Sequence, residues 1–158
     1  MKRVLLILSS SRVASACVDG AIRRAVEDRA ELVVFYVLDS LMPMGVRQQV
    51  SDEGFLGEAP SGRILRALMR ERKRQGLGEL ERISREARAR GVACRTELAE
   101  GDFLSRSLEA ARTEAPSIIF VARRDRSTLS RLVSGSRVED LKEAAPCEVL
   151  IHECTSDA

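Results

Sequence analysis

Aromatic side chains are scarce: the 158 residues hold no Trp, one Tyr and four Phe. Proteins that hold single strands stack bases on such rings, so this composition argues against nucleic acid as a partner. Histidine is scarcer still, with His152 alone. One imidazole leaves Cys–His metal sites little to work with. It also gives Ser9, Ser10 and Ser11 no base at a usable spacing, so Ser–His catalysis has no support and the chain reads as a non-enzyme. Cys17, Cys94, Cys147 and Cys154 show no C-x-x-C spacing. They read as reduced, apolar fillers in a cytoplasmic protein. Charge of one sign is missing too: 26 basic against 24 acidic residues leave +2, too little to argue for a polyanion. No apolar run reaches membrane-spanning length, so no membrane partner is expected. The run Val4 to Leu8 is too short for the apolar region of a signal peptide. There is no G-x-x-x-x-G-K-[ST], and the first turn, SSSRVAS, has no glycine before Gly20. Both the P-loop and the dinucleotide turn are thereby excluded.

What is present is alternation of strand and helix. Val4 to Leu8 and Leu32 to Leu38 are unbroken apolar runs, the mark of strands buried on both faces. Between them Cys17, Ala21 and Ala25, with Val18, Ile22 and Val26 beside them, have helical spacing. Residues 39–62 hold two prolines and four glycines with no sustained period, which predicts a long loop, mobile over 42–62. Residues 63–90 predict a long helix, with Gly76 and Gly78 marking a kink and Gly91 a left-handed cap. Its start, RILRALMRERKR, sets six basic side chains against Glu71, and reads as a solvated helix face. Val92 to Leu98 alternates and predicts a strand near an edge. Asp102 caps a helix whose Leu104, Leu108 and Ala111 face inward. A strand from Ser117, a helix with Val138 and Leu141, and a strand over Glu148 to His152 complete the chain. The order predicts an α/β fold: one domain over 1–158, a five-stranded parallel sheet with helices on both faces, Rossmann-like.

The stretch 115–137, APSIIFVARRDRSTLSRLVSGSR, organises the rest. A buried strand releases into a polar loop at Arg123, and Gly135-Ser136 precede a helix. Open α/β sheets bind ligands at such places, and the free N–H groups of the helix start favour an anion near Ser136. With RVLLIL, ELVVFYVLD, the EGD after the third strand and the closing APCEVLIH, this layout resembles the universal stress protein family across nearly the whole chain. A receiver domain, which shares the topology, needs an acidic pair where Ser9 and Ser10 stand.

The resemblance implies a cytoplasmic, stress-linked regulatory protein, ATP or AMP as ligand, and a homodimer through the C-terminal strand. The family motif, Gly-x2-Gly-x9-Gly-Ser/Thr, falls on Ala122, Asp125, Gly135 and Ser136. The Asp that ends the first strand of nucleotide-binding members is Ser9 here. The backbone contact to adenine falls at Val37. Of the five markers that depend on residue type, three have changed, at Ser9, Ala122 and Asp125. The Cβ of Ala122 narrows the allowed dihedrals, and Asp125 sets a carboxylate where phosphates would lie. ATP is therefore expected to bind weakly or not at all. In the alternative reading, Arg123, Arg124 and Arg126, with Arg137 nearby, replace the lost glycine contacts and hold an adenine nucleotide or a smaller anion.

Overall fold

The computed structural model describes residues 1–9, 15–39, 60–124 and 136–154. Its elements alternate: β1 (Arg3–Ser9), α1 (Ser15–Asp28), β2 (Glu31–Asp39), α2 (Pro60–Ala89), β3 (Cys94–Gly101), α3 (Phe103–Glu114), β4 (Ile118–Arg124), α4 (Ser136–Ala144) and β5 (Glu148–Cys154). The strands form one sheet in the order β3-β2-β1-β4-β5, and every neighbouring pair is parallel.

Strand alternation divides the core into two layers. Val4, Leu6, Leu8, Val34, Tyr36, Phe120 and Ala122 face α1 and α2. Leu5, Ile7, Val33, Phe35, Val37, Ile119, Val121 and Val149 face α3 and α4. Both faces of β1 and β2 are covered, which is why these strands read as unbroken apolar runs. In α1 the expected stripe is buried except for Val26, which is exposed.

Several boundaries differ from expectation. Helix α2 begins at Pro60, inside the segment expected to be loop. Proline suits a first helical turn, where its missing N–H costs nothing. The rest of the segment expected to be mobile lies outside the described residues. Gly91 does adopt a left-handed conformation, with φ +79°. Val92 belongs to that turn, its N–H donating to the Ala87 carbonyl, so β3 starts at Cys94. It does lie at an edge of the sheet, as expected. Asp102 caps α3 by accepting from the Ser105 N–H at 3.0 Å. Phe103, Ser107, Ala110 and Ala111 are buried, while Leu104 and Leu108 are only half-buried. The helix ends before Pro116, with Ala115 in the left-handed region at φ 45°.

Candidate functional site

The sheet order creates one topological switch point. From β1 the chain continues through α1 to β2 on one side. From β4 it continues through α4 to β5 on the other. Helix α1 packs on one face and α4 on the opposite one. The strand order therefore reverses between β1 and β4, and in open α/β sheets such a reversal marks the ligand crevice beyond the strands' carboxyl ends.

Three of the expected site residues border this crevice with described side chains. Ser9 ends β1 and is only 4% exposed. It pairs in register with Val37 of β2. Ala122 follows Val121, which pairs with Ile7 of β1. Alternation sends Ser9 and Val37 to the α3/α4 face and Ala122 to the α1/α2 face. Ser9 and Val37 are thus brought together, while the Ala122 methyl is a core group packed in the layer of Leu8 and Cys17.

Arg123 and Arg124 correct an expectation. They are not loop residues. Strand β4 runs through Arg124, and their backbones pair with Glu153 and Cys154 of β5, which runs two residues past His152. Once two parallel strands lie in register, ladder hydrogen bonds continue whatever the side chains are, so the polar switch at Arg123 did not mark the strand's end. Ser136 and Arg137 open α4 as expected. Ser10, Asp125, Arg126 and Gly135 lie outside the described residues.

His152 pairs with Ala122 and stacks on Phe120, ring centroids 5.8 Å apart. Gly20 of α1 lies over the same pair; a Cβ there would stand 3.4 Å from Phe120 and 3.6 Å from His152. The only histidine is therefore a packed strand residue. Burial pushes the thiols of Cys94 and Cys147 up, away from thiolate chemistry. Among the described residues no three His, Cys, Asp or Glu side chains gather closely enough to hold a metal ion. No helix among them is long and apolar enough to cross a membrane.

A model of the universal stress protein family matches residues 1–152. The chain belongs to the universal stress protein family. It is 26% identical over 151 residues to universal stress protein YxiE of Bacillus subtilis, covering 94% of this chain and 97% of that one. The solved structure of universal stress protein UspA from Lactobacillus plantarum superposes with a TM-score of 0.72 at 18% identity, over 96% of this chain and 97% of that one. A universal stress protein family structure from Arabidopsis thaliana with AMP bound superposes with a TM-score of 0.58 at 12% identity, over 99% and 94% of the two chains. At such identities these two structures share the fold. What the crevice of this universal stress protein can hold is decided by its own residues.

The sequence did not reveal a second polar cluster, at the opposite end of the sheet. Arg95 of β3 donates from both terminal nitrogens to the Glu114 carboxylate and from one of them to Glu31. Arg3 donates to the Glu114 carbonyl at 3.1 Å. These four residues come from β1, β2, β3 and α3, and no local period links them.

Proposed function

We propose that this universal stress protein is a cytoplasmic regulatory binding protein, not a catalyst, whose crevice has lost strong affinity for ATP. Ser9 carries the proposal: it ends β1, nearly buried beside the switch point, where the nucleotide-binding pattern has a carboxylate to engage adenosine. A hydroxyl cannot supply a charge-assisted hydrogen bond there. Asp125, in the expected phosphate loop, adds repulsion toward a triphosphate.

Titration calorimetry with Mg-ATP tests this, and no saturable heat is expected in the micromolar range. A micromolar Kd, about −8 kcal/mol, overturns the proposal. The AMP-bound relative supports a second reading, in which Ser9, Val37, Ala122 and the start of α4 at Ser136 hold a nucleotide with less phosphate charge. Micromolar AMP binding without ATP binding selects that reading.

The regulatory unit in this proposal is a homodimer through β5. The strand lies at an edge of the sheet, where unpaired N–H and C=O groups need a partner. Val149 of this strand is buried within its own protomer against the α3/α4 layer. Leu150, 37% exposed, is the apolar group the edge presents. Leu150→Lys is therefore the informative variant. Light scattering is expected to give a dimer for the native chain and a monomer for the variant, because paired ammonium groups would meet across a two-fold axis. A native chain that is monomeric at high micromolar concentration contradicts the proposal.

A further inference from the structure

Helix α2 is longer than the strands it covers. Its 30 residues extend about 45 Å at 1.5 Å per residue. The 9 residues of β2 extend about 30 Å. The second half of α2 seats it on the sheet: Gly76, Leu80, Ile83, Ser84 and Ala87 are buried, and no residue from Gly62 to Gln75 is. The first half starts from the connection that leaves the carboxyl end of β2, the end of the sheet that carries the crevice.

The two halves differ in charge. In the second, Arg82 pairs with Glu79 and Glu86, and Arg85 with Glu81. The first sets six cations, Arg63 to Arg74, against the one carboxylate of Glu71, which pairs with Arg74. Its first turn holds no acidic residue. Cations at the positive end of the helix dipole are the reverse of what stabilises a helix. Ile64 is 69% and Leu68 45% exposed, and with the exposed Ala67 they stand at i, i+3 and i+4 on the outer face. Exposed Arg70 flanks this row beside Ala67, half-buried Arg72 flanks it beside Leu68, and Glu71 falls between Ala67 and Ile64.

An exposed apolar row edged by cations matches the interface of an anionic bilayer. The apolar groups enter the acyl boundary, and the cations meet lipid phosphate. Nucleic acid would use the cations but not Ile64 and Leu68. We propose that the first half of α2 is an attachment surface for anionic lipid. The absence of a spanning run led to the expectation of no membrane partner, but attachment at the interface needs no span.

Flotation of the full chain with vesicles tests the proposal, using phosphatidylcholine alone or mixed with phosphatidylglycerol. Binding is expected to the mixed vesicles only, and to weaken as salt is added. Arg70→Gln with Arg72→Gln is expected to weaken it roughly 25-fold, at about fivefold for each charge. Ile64→Ser with Leu68→Ser also weakens it. Three of the four side chains are exposed and Arg72 is half-buried, so thermal melting should stay unchanged and report intact folding. Inorganic phosphate at matched ionic strength leaves vesicle binding in place. Displacement by phosphate makes this a simple anion site and overturns the proposal. Equal flotation with neutral vesicles overturns it too, as does flotation with neither or capture of duplex DNA without vesicle binding.

Discussion

Gly76→Ala is expected to destabilise the fold by about 1–2 kcal/mol, while Gly78→Ala, two residues on in the same helix, stabilises it by about 0.5–1 kcal/mol. On helix propensity alone both would gain, because alanine restricts the unfolded chain and solvates less backbone. The surroundings separate them. Gly78 has nothing within 4 Å of an added Cβ. At Gly76 the Cβ would stand 2.8 Å from Cε1 and 3.0 Å from Cδ1 of Tyr36, and 3.1 Å from Leu98. The Tyr36 ring is buried in β2 within the α1/α2 layer. It cannot swing aside as an exposed chain end could, so α2 must lift from β2 and β3. That loosens the contacts of Leu80 and Ile83 one and two turns further along. Urea denaturation checks this through opposite shifts of midpoint at unchanged slope. Equal shifts of the two midpoints would refute the close approach of α2 to Tyr36.

Gly76 also shows where sequence reading stops. A glycine within a helical pattern suggests a kink, and its actual reason, a ring from another element, is invisible until β2 and α2 are set together. The strands were legible because burial on both faces leaves apolar runs such as Leu32 to Leu38. Their ends were less so. Arg123 and Arg124 look like loop, yet pair with β5 because parallel register extends a ladder without regard to side-chain polarity. The candidate site was legible in part. Ser9 and Val37 fall at strand ends that the sequence marks, and the structure pairs them. That Ala122 turns its methyl to the other face depends on the register of β1 with β4, which no single segment contains.

Arg95→Met is the second change expected to have a large effect, a loss of about 1–2 kcal/mol at neutral pH that fades in acid. The Glu114 carboxylate is buried at the end of α3 and takes both terminal nitrogens of Arg95. Without Arg95 its remaining charged neighbour is Arg3, 3.8 Å away. Stranding a fully buried charge costs about 3–5 kcal/mol. The lower figure here reflects Arg3 and the half-exposed position of Arg95, where water screens the pair. Methionine keeps most of the length of the arginine stem, so the loss isolates charge. The pH dependence follows from the Glu114 carboxyl. The hydrogen bond from Arg95, then its charge and that of Arg3, hold it below the usual carboxylate range against the opposing effect of burial. A depressed folded pKa means that the unfolded chain takes up the proton first as pH falls. The stabilisation is complete above the unfolded value, about 4.3, and disappears as pH drops through the folded one. Denaturation midpoints of native and variant chains should therefore lie furthest apart at neutral pH and converge below about pH 4. A gap that persists undiminished in acid would assign the loss to packing of the Arg95 stem rather than to its charge on Glu114.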